Sequence, residues 1–87
     1  MRNLAKKFKA LSNERRLHII RLLLKHKKLS VGDIADKINL SFRSTSRHLK
    51  VLESTNFVSW KQTGLNVYYS ISSEALKEIL DLIRKLS

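Results

Sequence analysis

Five polar side chains recur at helical spacing between residues 41 and 54. At about 100° per residue, one side of a helix over this stretch carries two guanidinium groups, one ammonium group and two hydroxyls. These groups belong to Arg43, Ser44, Arg47, Lys50 and Ser54. The opposite, anchoring side consists of Phe42, Thr45, Leu49 and Leu52. Guanidinium and hydroxyl groups donate hydrogen bonds to phosphates and to base edges, so the pattern predicts either a polyanion-binding helix or a solvated amphipathic one.

The composition is that of a small globular domain. A chain of 87 residues predicts a single domain, residues 1–87, that buries only about 60% of its unfolded surface and gains stability by dimerising. The absence of cysteine excludes disulfides and thiolate metal sites. No apolar run approaches the roughly 18 residues that span a bilayer, and the first residues lack the apolar region of a signal peptide. We therefore expect a cytoplasmic protein with no membrane partner.

The positive charge is concentrated in the first part of the chain. The formal net charge is +11 at pH 7, and residues 1–50 carry 14 Lys and Arg against 3 acids, whereas residues 51–87 carry 4 against 4. Charge that only kept the protein soluble would not need to stop at the midpoint. A local excess of this size favours nucleic acid over an anionic membrane as the partner, and hence association with the nucleoid.

Capping residues and apolar periodicity predict five helices, at about 3–11, 14–26, 31–38, 41–55 and 73–86. Asn13, Ser30 and Ser41 are suited to cap the second, third and fourth helices, and Asn39 can end the third in the left-handed conformation. Only a short turn separates the third and fourth helices. This is the helix-turn-helix arrangement, in which the second helix enters the major groove of DNA, so residues 41–55 are the predicted recognition helix.

Around Asn56 the periodicity changes from helical to alternating. Residues 57–62 and 66–71 are rich in aromatic and β-branched residues and flank a turn at 63–65, which predicts a β-hairpin wing at about 57–71. The predicted fold class is therefore mainly α with a β-hairpin wing, a winged helix-turn-helix of order α-α-α-α-β-β-α. The aromatic residues of the wing, Trp60, Tyr68 and Tyr69, are more typical of packing between wing and helices than of stacking on unpaired bases.

The first and last helices carry apolar stripes that a domain this small cannot cover alone. We expect a homodimer that packs through helices 3–11 and 73–86. The predicted interface consists of Leu4, Phe8, Leu11, Leu76, Ile79, Leu80, Ile83 and Leu86. Two recognition helices related by a dyad would face half-sites about 34 Å apart, which predicts an inverted-repeat binding sequence.

Most of the chain resembles the ArsR/SmtB family of winged-helix repressors. Residues 9–23 are similar to the family's opening LKALADPTRLRILRLL, and residues 40–41 and 46–52 to the two ends of its recognition helix, LSQSTVSRHLKVL. Residues 57–58 and 67–69 lie where the strands of the family's wing are expected. The resemblance implies a DNA-binding homodimer that acts as a transcriptional repressor. Metal-sensing members carry a Cys-x-Cys pair before the recognition helix, or Asp and His residues on the last helix. Residues 29–33 lack cysteine and residues 73–87 lack histidine, so the resemblance implies a regulator with neither metal nor cofactor.

We expect the recognition helix and the wing to divide the DNA contacts. The predicted base-contacting residues are Phe42, Arg43, Ser44 and Arg47, and the predicted backbone-contacting residues are Ser41, Ser46, Lys50, Lys61 and Thr63. Phe42 is ambiguous, because its helical phase also places it with Leu49 in the core, whereas it occupies a base-contacting glutamine position of the family.

Two alternative functions remain open at this point. One is a sequence-neutral protein that coats DNA, which the high positive charge would suit. The other is a regulator that an organic ligand or a protein effector switches. An enzyme finds little support, because there is no cysteine and no Gly-rich phosphate loop, and the three histidines have no carboxylate at a catalytic spacing.

Overall fold

The computed structural model describes residues 2–86, and for residues 2–4, 79, 80, 82, 83 and 86 it describes the backbone only. Within this range the helices are α1 (Arg2–Leu11), α2 (Glu14–His26), α3 (Val31–Ile38), α4 (Phe42–Ser54) and α5 (Ser73–Leu86). The strands are β1 (Lys28–Ser30), β2 (Val58–Thr63) and β3 (Asn66–Ile71). The predicted helix-turn-helix followed by a β wing is confirmed.

The helix boundaries follow from local hydrogen bonds. The side chains of Asn13, Ser30 and Ser41 each accept a backbone N–H from three residues further on, at 3.1 Å in every case. Each cap therefore satisfies one of the N–H groups that the first turn of a helix leaves unpaired. Asn39 ends α3 in the left-handed conformation at φ 54°. Ser72 caps α5 by accepting the N–H of Ala75 at 3.0 Å.

One strand was not predicted from the sequence. β1 pairs antiparallel with β3, so the sheet has the order β1-β3-β2 and the wing is part of a three-stranded sheet rather than a separate hairpin. Three residues are too few to show a period of two, and they form a strand because β3 offers hydrogen-bonding partners distant in sequence. Leu29 of β1 lies opposite Tyr69 of β3. The pairing holds the start of α3 against the wing.

The core lies between α2, α3, α4 and the inner side of the sheet. Its buried members are Ala10, Ile19, Ile20, Leu23, Ile34, Ile38, Leu49, Leu52, Phe57, Val58, Ile71 and Ala75. Each large aliphatic side chain removed from water stabilises the fold by about 1.5–3 kcal/mol before the entropy of ordering is subtracted. α2 packs through one side only, since Leu17 and Leu24 on its other side are exposed.

The terminal helices α1 and α5 are joined by an ion pair. The ammonium group of Lys7 bonds both carboxylate oxygens of Glu78, at 2.7 and 2.9 Å. Of the predicted dimer residues, Phe8 is 65% exposed and Leu76 is also exposed, whereas Leu11 packs against the core of its own chain. The predicted contacts of Leu4, Ile79, Leu80, Ile83 and Leu86 lie outside the described side chains. Among the described residues, no helix has the length and apolarity that crossing a bilayer requires.

Candidate nucleic-acid interface

The inner side of α4 is fixed in the core. Thr45, Leu49 and Leu52 are each 0% exposed. The hydroxyl of Thr45 donates to the carbonyl of Ser41 at 2.8 Å, so the buried polar group is satisfied within the helix itself. Because these contacts hold α4 from Thr45 to Leu52, the orientation of its outer side is also fixed.

The outer side of α4 carries a row of exposed cations, which we call the cationic row: Arg43, Arg47 and Lys50. The three side chains line one shallow groove along the helix, together with Phe42 and Ser46. None of the three cations forms a salt bridge with any residue that the structure describes. The row therefore presents uncompensated positive charge and two guanidinium forks, which suit phosphate oxygens and the edges of guanine.

The remaining predicted contacts on α4 lie around this row. Phe42 is 62% exposed, so the alternative that placed its ring in the core is wrong. Phe42 is the first residue of α4, and it lies before the part of the helix that packs into the core. Ser41 is exposed, and its oxygen accepts the N–H of Ser44, while its O–H remains available to donate to a ligand. Ser44 and Ser46 are half-buried.

On one flank, α4 meets the wing through a single directed hydrogen bond. The indole N–H of Trp60 donates to Oε1 of Glu53 at 2.9 Å. Burial and, to a smaller extent, the Glu53 carboxylate raise the pKa of Tyr69, whose ring packs against the core. The expectation that the aromatic residues fill the space between wing and helices therefore holds for Tyr69, but Trp60 stays half-exposed.

The wing carries the other two predicted contacts. Lys61 and Thr63 are exposed on the outer side of β2, where Lys61 lies opposite Tyr68 and Thr63 opposite Asn66. The structure thus groups the cations of α4 and leaves Lys61 and Thr63 on a separate element. At the tip of the wing, Leu65 is 98% exposed.

On the other flank, one arginine joins α4 to α1 and α2. The guanidinium of Arg16 donates from Nε to the carbonyl of Ala10 at 2.6 Å and from Nη2 to that of Lys9 at 3.4 Å. Its Nη1 meets Nδ1 of His48 on α4 at 3.5 Å. Since an arginine only donates, Nδ1 of His48 must accept, which requires a neutral ring with its proton on Nε2.

The surroundings of His48 favour that neutral form. Burial is the largest cause that lowers the pKa of His48, and the guanidinium groups of Arg16, Arg15 and Arg47 lower it further. All four causes disfavour a positive charge on the ring. This pairing could not be predicted from local patterns, because the two residues lie 32 positions apart.

A second arginine of α2 supports the turn before α4. Nη1 of Arg15 donates to the carbonyl of Ile38 at 2.8 Å. This carbonyl belongs to the last turn of α3, which has no partner within its own helix. From the sequence, Arg15 and Arg16 were assigned no role beyond positive charge. In the structure, both hold the helix-turn-helix in place through hydrogen bonds to main-chain carbonyls.

The described residues offer no constellation for a metal ion. No group of three His, Cys, Asp or Glu side chains comes together among them. His18 and His26 are both exposed on α2 and separated by two turns of the helix.

Comparison with known proteins places the chain among bacterial regulators. The sequence profile for the "Bacterial regulatory protein, arsR family" matches residues 13–59. The chain is 36% identical over 78 residues to the transcriptional activator HlyU of Vibrio cholerae, which is 90% of this chain and 71% of HlyU. It is 35% identical over 74 residues to the transcriptional repressor SdpR of Bacillus subtilis, which is 85% of this chain and 81% of SdpR. Other curated relatives extend further, and the chain spans as little as 57% of their length.

Solved structures agree with the sequence comparison. The chain is similar to the homodimeric winged helix-turn-helix DNA-binding domain of a possible ArsR-family transcriptional regulator from Mycobacterium bovis. The TM-score is 0.82 at 30% identity, over 97% of this chain and 77% of that one. The match covers the whole layout described above, from α1 through the wing to α5.

Proposed function

Because the chain belongs to the arsR family of bacterial regulatory proteins, we propose that it is a sequence-specific regulator, a repressor that binds an inverted-repeat operator as a homodimer. DNA binding and transcriptional regulation are properties of the family. The specific observation in favour of sequence-specific binding is the cationic row of Arg43, Arg47 and Lys50, exposed without carboxylate partners on a helix whose inner side is locked in the core. A rigid helix with two guanidinium forks can distinguish base edges as well as hold phosphates.

The proposed contacts divide by chemistry. Phe42, Arg43, Ser44 and Arg47 contact bases, since they lie in the first half of α4, which enters the groove first. Phosphates are held by Ser41, Ser46 and Lys50 of α4 and by Lys61 and Thr63 of the wing. Phosphate contacts set the register of the protein on the duplex, and base contacts set the sequence that it prefers.

Selection of bound duplexes from a random pool tests the proposal directly. We expect an inverted repeat with half-sites one helical turn apart. A pool that shows no enriched sequence while all duplexes bind equally well would instead establish the sequence-neutral coating protein. The selected operator then serves as the reference for the variants.

Arg47→Ala and Arg43→Ala test the assignment to base edges. Each bidentate contact to guanine contributes about 1–3 kcal/mol of discrimination, so each variant should lose operator affinity roughly tenfold or more while random duplex loses less. Arg21→Ala removes an equally exposed arginine from α2 and should weaken both duplexes slightly and equally. If operator and random duplex lose the same affinity in the Arg47 variant, that residue contacts the backbone.

Removing single methyl groups from the operator tests the assignment of Phe42. Its exposed ring is suited to contact the methyl group of a thymine. Replacing each operator thymine in turn by deoxyuridine removes only that methyl group. We expect one position at which wild type loses affinity and the Phe42→Ala variant does not. Equal losses in both proteins at every position would remove Phe42 from the base contacts.

The homodimer is proposed to form through α1 and α5. Exposed Phe8 and Leu76 support this interface, and the ion pair of Lys7 with Glu78 holds the two helices together within one subunit. Sedimentation at micromolar concentration should show a dimer, and Phe8→Glu should shift it to monomer and weaken operator binding. A monomeric wild type with full operator affinity would contradict the proposal.

We further propose that no metal takes part and that the protein acts in the cytoplasm, on the nucleoid. The family-type metal sites require thiolates or clustered histidines, and the chain has no cysteine and no such cluster among the described residues. Operator binding should therefore be unaffected by chelators and by added zinc. A thermal-shift screen with and without operator DNA will detect an organic effector, should this regulator use one.

A further inference from the structure

The first helix turns a basic side toward α4. Lys6 and Lys9 of α1 line a groove whose opposite wall is the last part of α4, with Arg16 at its base. The complete lining is Lys6, Lys9, Ala10, Arg16, Val51, Ser54 and Thr55. Three cations and no carboxylate therefore line this groove, which we call the α1–α4 groove.

The free charge in the α1–α4 groove belongs to the two lysines. Neither ammonium group forms a salt bridge among the described residues, in contrast to Lys7, which is paired with Glu78. Arg16 contributes charge, but each of its three nitrogens already has a partner, namely the carbonyls of Lys9 and Ala10 and the ring of His48. Glu74 lines an adjoining smaller depression with Lys6 without pairing with it. An anion entering the groove would therefore meet two uncompensated ammonium groups.

The α1–α4 groove continues the cationic row. Ser54 lies one helical turn beyond Lys50, so the end of α4 that walls the groove faces the same way as the row. Phe8 is exposed on the other side of α1, away from the groove by helical spacing. The two sides of α1 can thus serve two contacts at once, one with a partner subunit and one with a ligand on the surface of α4.

We propose that Lys6 and Lys9 hold the phosphate backbone of the bound duplex, on the flank of α4 away from the wing. The proposal rests on the proposed DNA-binding function and adds α1 to the interface. A duplex fits better than a small anion, because the groove is open, continuous with the row and built from flexible ammonium groups instead of buried donors. Backbone contacts of this kind add affinity without adding sequence preference.

The salt dependence of binding separates these contacts from bulk charge. Each neutralised phosphate contributes about 0.9 to the slope of log K against log salt concentration. The double variant Lys6→Ala/Lys9→Ala should therefore flatten the slope by roughly 1–2 and weaken operator and random duplex by the same factor. Circular dichroism and sedimentation on the same samples confirm fold and dimer.

The matched control is Arg21→Ala/Lys25→Ala. It also removes two exposed helical cations, from the side of α2 that faces away from Arg16 by helical spacing. We expect its slope to stay within about 0.5 of wild type, since long-range charge alone is largely screened at physiological salt. Equal slope changes in the two double variants, or none in either, would overturn the proposal.

A crosslinking experiment gives a readout independent of affinity. Because the chain has no cysteine, Lys9→Cys provides a unique attachment point for a short photo-activated crosslinker, and Lys25→Cys provides the control. We expect Lys9→Cys alone to crosslink, to nucleotides at the edge of the half-site away from the wing. Equal yields at both positions would refute the contact. If wild type bound no duplex at all, the proposed function itself would fail, whereas binding with an unchanged slope overturns only the role of α1.

Discussion

The two flanks of α4 hold the same helix by different chemistry. On the wing flank, Phe42 faces Leu65 across a depression that no charged residue lines, and the directed contact described there is the bond from Trp60 to Glu53. On the α1 flank, Arg16 hydrogen-bonds main-chain carbonyls and His48, and lysines line the groove. One flank therefore offers shape and apolar surface, and the other offers charge.

The difference bears on how a duplex would be held. The uncharged depression beside Phe42 contributes contact area that depends little on salt, and residues 57–71 add only one cation, Lys61. The lysines of the α1 flank contribute affinity that salt screens. The contributions of the wing and of α1 to DNA affinity should therefore be distinguishable by their salt dependence, although both elements flank α4. Leu49→Ala should destabilise both flanks, whereas Arg16→Met and Glu53→Ala should each destabilise one.

Leu49→Ala should have the largest effect, because it removes a side chain that supports both flanks. The residue is 0% exposed, and a buried Leu→Ala change costs about 2–5 kcal/mol of unfolding free energy, which a domain this small cannot readily spare. Urea unfolding followed by circular dichroism measures the loss. Leu65→Ala at the exposed wing tip is the control and should stay within about 0.5 kcal/mol of wild type. Similar losses in the two variants would contradict the described core.

Arg16→Met should loosen the α1 flank alone. The change keeps an unbranched apolar stem but removes the guanidinium group and with it the 2.6 Å bond to the carbonyl of Ala10. Loss of a charge-assisted hydrogen bond costs about 1–3 kcal/mol. Because the chain has one tryptophan, located on the wing flank, native tryptophan emission should not change. Arg21→Met is the matched control. A shift of the emission maximum in the Arg16 variant would show that the flanks are coupled.

Glu53→Ala should loosen the wing flank alone. It removes the acceptor of the Trp60 indole N–H, and because Trp60 is half-exposed solvent replaces part of the bond, so we expect a loss of about 0.5–1 kcal/mol. The indole should become more hydrated, which shifts its emission to longer wavelength. Glu74→Ala, which removes an exposed carboxylate from α5, is the control. An unchanged emission spectrum would exclude this contact in solution.

His48→Gln should produce the smallest difference, and only in acid. The folded protein lowers the pKa of His48, so as pH falls through the ordinary value of about 6.5 the unfolded chain takes up the proton first and the folded state loses stability. Above that value His48 contributes no pH dependence. The variant should therefore lose less stability than wild type between pH 7 and pH 5, as measured by thermal unfolding. His26→Gln is the control, and identical profiles for wild type and the His48 variant would refute the lowered pKa of His48 in the folded protein.

Local patterns predicted most of the fold. The caps at Asn13, Ser30 and Ser41 involve residues three positions apart, so sequence alone shows both partners, and the helix boundaries followed. The cationic row was also predictable, because a helix of known phase fixes which residues share a side. These features depend on neighbours within one or two turns of the chain.

Non-local contacts account for what the sequence did not show. β1 exists only because β3 pairs with it, and the roles of Arg15 and Arg16 depend on carbonyls and a histidine from other helices. Phe42 was ambiguous because helical periodicity predicts which side of α4 a residue occupies, but it does not predict where along α4 the contact with the core begins. The basic side of α1 was visible, yet which element it faces became clear only from the packing.

The three-stranded sheet has a further consequence for proteins crowded along DNA. Its edges are β1, only three residues long and carrying Lys28, and β2, which carries Lys61. A three-residue edge and an edge that carries a lysine are both poor templates for intermolecular strand pairing. Adjacent molecules on neighbouring binding sequences should therefore stay separate rather than join sheet to sheet, which keeps occupancy reversible at high local concentration.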